Sequence, residues 1–208
     1  DPTGVGINYA GYVIHSAIHG ARPDLQAVLH THTRDGIAVS AQRDGLLPIS
    51  QHAIGFSGRV AYHGYEGVAL DLDERERLVA DLGDKSVLIL RNHGLLTAGI
   101  SVEHAFQQLH GLERACNIQI AAQAGGNAEL IFPPTEVVTK VEKQAEVFKS
   151  GDGPGVARHW NALIRQLERT DIEYKSWVKG VGAGSPAKAV CQSTFVLNVL
   201  PPSRASPP

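Results

Sequence analysis

Apolar positions recur along the chain with two different spacings, and the alternation between them predicts a layered α/β protein. Tyr9 to Gly20 carries Tyr12, Val13, Ala17 and Ile18 on one stripe at helical spacing, and Gly20 and Pro23 stop it. After the turn signal Arg22-Pro23-Asp24, Gln26 to His32 is a short, largely apolar run that reads as a strand. Asp35 to Gln42 predicts a short helix packed behind it. Gly45 to Ile49 and Arg59 to Tyr62 are strand candidates on either side of a polar loop, Ser50 to Ser57. Asp73 to Leu82 opens with acidic residues and is followed by Gly83, the signature of a helix at both ends. Ser86 to Leu90 is a second apolar run of strand length, and a Gly-containing loop follows it. Val102 to Ala124 is the strongest helix. Ser101 is its N-cap, Glu103 lies in its first turn, and Ala105, Phe106, Leu109, Leu112, Cys116 and Ile120 recur at i, i+3/i+4. Beyond Pro133-Pro134 two polar helices are expected, Thr135 to Lys149 and Val156 to Arg169. Strands alternating with helices argue an α/β layer architecture.

Composition changes this picture at the two ends. From Trp177 onward Gly, Ala, Ser and Pro dominate, and residues 177–208 read as a disordered or foreign tail. The chain has no Met and starts Asp1-Pro2-Thr3-Gly4, which reads as a loop within a domain, so an N-terminal portion is expected to be missing. The expected division is a core over 1–132, C-terminal helices of the same domain over 133–176, and the tail. Of the two cysteines, Cys116 falls inside the strongest helix as a small buried hydrophobe; no disulfide and a reducing, cytoplasmic compartment are expected. A formal net charge of −2 leaves no electrostatic footprint for nucleic acid or an anionic membrane. No apolar run approaches the ~18 residues that a membrane span needs.

Chemistry concentrates in Ala27-Val28-Leu29-His30-Thr31-His32 and Arg91-Asn92-His93-Gly94. Side chains alternate along a strand, so His30 and His32 point to one face. His93 lies just past the second strand. Three imidazoles delivered from two strand ends fit a divalent-metal site with open positions, the catalytic rather than the structural arrangement. Their nearest ring nitrogens are then expected roughly 3–4 Å apart, as ligands ~2.0–2.1 Å from one zinc require. An H-x-H pair alone is a weak signal in a chain with ten His.

Five stretches taken together resemble the class II aldolase/adducin family: His15 to Asp24, Ala27 to His32, Gly45 to Ser50, Val60 to Gly67 and Leu88 to Leu96, with the long helix behind them. The resemblance covers roughly residues 5–130 and is nearest to adducin-like bacterial members and the adducin head domain. It implies a three-layer α/β/α domain with a central, mostly antiparallel sheet. It also implies that His30, His32 and His93 correspond to the family's three metal ligands. Zinc is the expected ion, with iron or manganese also compatible, although a two-His-one-carboxylate set is the more usual iron signature.

The departures from that pattern concern proton transfer. The family's aldolases carry an acid/base Glu one helical turn before the residue matching His15; here that position is Gly11. Tyr9 and Ala10 stand where phosphate-binding aldolases carry hydroxyl residues. His52 replaces a loop Tyr that assists proton transfer in the fuculose-phosphate type. It is the candidate acid/base, the alternative being a solvated loop histidine. Glu113 is the candidate for orienting a ligand His through its second ring nitrogen, against a plain surface Glu. His15 and His19, one turn apart, read as packing residues, as do His63 and His110.

Two functions follow from the resemblance. One is a metal-dependent, aldolase-type lyase acting on a small, non-phosphorylated hydroxy-carbonyl compound, with His52 placed near a partner subunit's site in a homotetramer. The other is a non-catalytic, adducin-like oligomerisation or actin-associated scaffold.

Overall fold

The computed structural model describes residues 9–68, 71–125, 130–145 and 153–170. Its elements run α1 (Tyr9–Ala21), β1 (Ala27–Thr31), α2 (Arg34–Ser40), α3 (Gln51–Ile54), β2 (Val60–His63), α4 (Glu74–Leu82), β3 (Val87–Leu90), β4 (Gly94–Gly99), α5 (Val102–Gln123), α6 (Thr135–Ala145) and α7 (Pro154–Thr170). The strands form one sheet in the order β1-β4-β3-β2. β1–β4 and β4–β3 pair antiparallel and β3–β2 parallel, so the sheet is mostly antiparallel, as expected.

Both faces of this sheet are buried, and the period of two divides its side chains between two cores. Leu88 and Leu90 of β3, Leu96 and Ala98 of β4, and Val28 of β1 pack against Val13, Ile14, Ala17 and Ile18 of α1 and Leu78 and Leu82 of α4. On the opposite face Val87, Ile89 and Leu95 meet Val39 of α2 and Leu109, Leu112 and Cys116 of α5. The chain is therefore an α/β/α three-layer domain, and β1 presents alternate residues to the α1 side and the α5 side. α7 packs on α5, and α6 on α3. Burial pushes the Cys116 thiol up to about 12, which leaves it an inert core residue.

Three local expectations are corrected. Gly45 to Ile49 is not a strand. Its backbone donors are taken by side chains: Leu46 N–H donates to Tyr62 Oη (3.1 Å) and Leu47 N–H to Gln119 Oε1 (2.7 Å). Gly45, at φ 63°, turns the chain away from any ladder. Conversely, the segment read as a Gly-containing loop is β4, buried at every position. The expected polar loop Ser50 to Ser57 contains α3, capped by Ser50 Oγ, which accepts from Ala53 N–H at 3.1 Å. Residues 146–149, the end of an expected helix, and the expected tail 177–208 with Cys191 lie outside the described residues. Among the described residues no helix is long and apolar enough to cross a membrane.

Candidate metal centre

β1 delivers the first two imidazoles. Because Thr31 faces α5, His30 and His32 on either side of it face α1. The third arrives on the β3–β4 turn. Asn92 takes the left-handed conformation there (φ 56°), a region in which Asn is enriched, and His93 N–H closes the turn on the Leu90 carbonyl at 3.1 Å. Gly94 follows because β4 passes so close to β1 that a Cβ would collide with the Thr31 carbonyl oxygen. These constraints set ring centroids 4.6 Å apart for His30–His32, 4.9 Å for His30–His93 and 4.6 Å for His32–His93.

Each ring offers one nitrogen to a common point, and these nitrogens lie within 4.8 Å of one another. His30 Nδ1–H donates to the Leu95 carbonyl at 2.8 Å, which leaves the Nε2 lone pair facing the cluster. His30 Nε2 and His32 Nε2 are 2.7 Å apart, a hydrogen-bond length that is shorter than the 3–4 Å expected of two ligands on one ion. Burial, above all, lowers His30 to about 3; the Leu95 carbonyl opposes that shift and the neighbouring imidazoles add to it. Burial, then His32 and His63, lowers His93 to about 4. Both rings are therefore neutral near pH 7 and keep the lone pairs a metal needs. Three imidazole donors with an open side fit one divalent ion.

The cluster forms one end of a cleft of about 400 Å³. Ala10, Gly11 and Ile14 of α1, Ile37 of α2, and Tyr65 and Val68 after β2 line it with Asn92. No lysine, arginine or carboxylate is among the described residues lining it. Gly11 thus stands beside the imidazoles, where the family's aldolases carry Glu.

The remaining candidates fall elsewhere. His52 is exposed on α3 and is not among the residues lining this cleft. Its charge is felt instead by His110 on α5. Glu113 contacts no imidazole; its carboxylate accepts from Thr31 Oγ1 and Thr33 Oγ1, both at 2.6 Å. The second ring nitrogen of His30 is taken by the Leu95 carbonyl. His63 is buried and bonds Asp81 through Nδ1 at 2.7 Å. His15 is buried on α1, with its pKa lowered first by burial and then by His19. Tyr65, not singled out from the sequence, is 56% exposed with its ring 6.4 Å from His93. Its place in the chain, two residues beyond the end of β2 and beside the end of β3, is the signal that points to it.

A family model described as the class II aldolase and adducin N-terminal domain matches residues 3–120. The chain belongs to the class II aldolase/adducin family. It is similar to a Pseudomonas aeruginosa protein whose name assigns it provisionally to class 2 aldolases: 48% identical over 170 residues, 81% of this chain and 65% of that one. It is also similar to alpha-adducin of Rattus norvegicus, 43% identical over 188 residues, 83% of this chain and 25% of that one. The chain thus spans about two thirds of the first relative's length and a quarter of the second's. Among solved structures it resembles an aldolase II superfamily protein from Pseudomonas syringae. That pair has 81% identity and a TM-score of 0.79, over 84% of this chain and 68% of that one. L-fuculose 1-phosphate aldolase from Glaciozyma antarctica is more distant, with 29% identity and a TM-score of 0.62, over 78% and 61%.

Proposed function

We propose that this family member is a metal-dependent lyase that cleaves or enolises a small, non-phosphorylated hydroxy-carbonyl compound. The observation that carries the reading is the convergence of His30, His32 and His93 at one end of an open cleft. A bound divalent ion, zinc first, supplies Lewis-acid stabilisation of the oxyanion that develops on the substrate carbonyl. The chain's own part is to hold that ion through three imidazoles and to shape the cleft. A wall of Ala10, Gly11, Ile14, Ile37 and Val68 suits a short carbon chain. No cation stands among the described residues lining the cleft, and a substrate without a phosphate group is in keeping with that.

Among the described residues lining the cleft there is no carboxylate to take the proton-transfer role, and Tyr65 is the one phenol there. Gly11 has no side chain, and His52 stands on another face. In this reading the complete protein is a homotetramer, and His52 reaches the neighbouring subunit's cleft across a border. One specific observation favours a second reading. With Gly11 in place of the acid/base Glu, the fold could persist as a non-catalytic adducin-like scaffold, and alpha-adducin is a relative.

The full-length, zinc-loaded protein should cleave at least one member of a panel of short hydroxy-ketones and hydroxy-aldehydes. His32→Ala and His52→Ala should each be inactive, and mixed subunits of the two should regain part of the activity. A zinc-loaded oligomer inactive on the whole panel would contradict the lyase and favour the scaffold. Turnover without complementation would place His52 outside the shared site.

A further inference from the structure

We propose that Glu113 is a positioning residue for the imidazole cluster, clamping the two residues that flank His32. This rests on the reading of the cluster as a metal centre. Of the three imidazoles, His32 is the exposed one. His30 is oriented by the Leu95 carbonyl on its Nδ1. Among the described residues, the one hydrogen bond to the His32 ring comes from His30 Nε2, itself a member of the cluster. The direction of the His32 side chain is therefore set by the backbone of residues 31–33.

That backbone is held from the opposite face of the sheet. Thr31 points toward α5, where its Oγ1–H donates to Glu113 Oε1 at 2.6 Å. Thr33 caps α2, its Oγ1 accepting from Gly36 N–H at 3.2 Å and its proton going to Glu113 Oε2 at 2.6 Å. One carboxylate thus ties together the residues before and after His32, at lengths typical of O–H···O⁻ bonds. Both of its oxygens accept charge-assisted bonds, whereas an amide has one acceptor and must turn the other contact into a weaker bond that it donates itself. In Glu113→Gln one hydroxyl would face an NH₂ group. The Thr33 oxygen, already accepting from Gly36, is poorly placed to accept again. Long, rigid α5 carries Glu113, so the tie transmits the position of a helix to a ligand it never touches.

The test uses the full-length protein, stripped of metal and titrated with Zn²⁺ against a chromophoric chelator, alongside Co²⁺ absorption spectra. Glu113→Gln should weaken Zn²⁺ binding about tenfold or more, the range seen when outer-shell partners are removed. It should also change the Co²⁺ ligand-field bands, which a merely structural role would leave alone. Thr31→Val, which keeps the side-chain volume, should weaken binding in the same direction. The double variant should lose less than the two single losses multiplied, because both act through one clamp. Unchanged Zn²⁺ affinity and Co²⁺ bands in Glu113→Gln, with wild type binding normally, would overturn the positioning role and leave the metal centre standing. If Glu113→Gln does not fold, Thr31→Val carries the test alone, and wild-type affinity in it overturns the role. A wild-type protein that takes up no Zn²⁺ would overturn the metal reading itself.

Discussion

Gly94 sets how near His93 comes to the other two imidazoles. A Cβ there would collide with the Thr31 carbonyl oxygen and lie 3.3 Å from His32 Cδ2. The obstacle is strand backbone, so relief requires β1 and β4 to part. Gly94→Ala should therefore destabilise the protein by about 1–3 kcal/mol, the usual cost of forcing extra atoms into a packed core. It should also weaken metal binding, because the strand that must move carries His30 and His32. Chemical denaturation and Zn²⁺ titration check both effects, and wild-type behaviour in both would contradict the account. At this scale the three imidazoles were legible in the sequence, because strand alternation places His30 and His32 on one face whatever the fold. The partner of Glu113 was not. That Thr31 and Thr33, rather than a histidine, meet it depends on how α5 lies across β1, which no local pattern encodes. Gly11 was legible as a departure, and its place in the cleft agrees with that reading.

Among the elements, α7 is held to α5 by a small aromatic and imidazole contact. Phe106 stacks on His110 with centroids 6.0 Å apart, Trp160 meets the edge of Phe106 at 5.5 Å, and His159 meets His110 at 5.5 Å. Burial first, then His159, Arg114 and His52, holds His110 below its ordinary value of 6.5. A lowered folded-state pKa means the docked form binds fewer protons than the undocked one. The contact is therefore fully stable above about 6.5 and weakens as pH falls through the folded value. In a Trp177→Phe background, acidification from about pH 7.5 to about pH 5 should move Trp160 emission to longer wavelength, and His110→Gln should flatten the response. Emission independent of pH would contradict this docking arrangement. The longer helices were legible from apolar periodicity and caps such as Ser101, and the one-turn α3 was not. β4 was not, because its terminal glycines resemble loop punctuation. They are there for close approach: a Cβ on Gly99 would lie 2.6 Å from Ala105 N, as one on Gly94 would strike Thr31. Gly45 to Ile49 misled in the other direction, since apolar composition does not reveal that side chains take its backbone donors.

For the whole molecule, the three-layer fold and the cleft bring together three imidazoles that could hold a metal ion where a small carbonyl compound could reach it. Membership of the class II aldolase/adducin family is compatible with either an enzyme or a scaffold. The lyase reading requires that the cluster hold an ion in the complete protein. The most direct measurement is elemental analysis of purified full-length protein, wild type beside His93→Ala, after equilibration with Zn²⁺ and removal of loosely bound ions. The account predicts close to one zinc per wild-type chain and close to none in His93→Ala, with both variants folded. Wild-type protein without zinc, or equal zinc in the two, would contradict it.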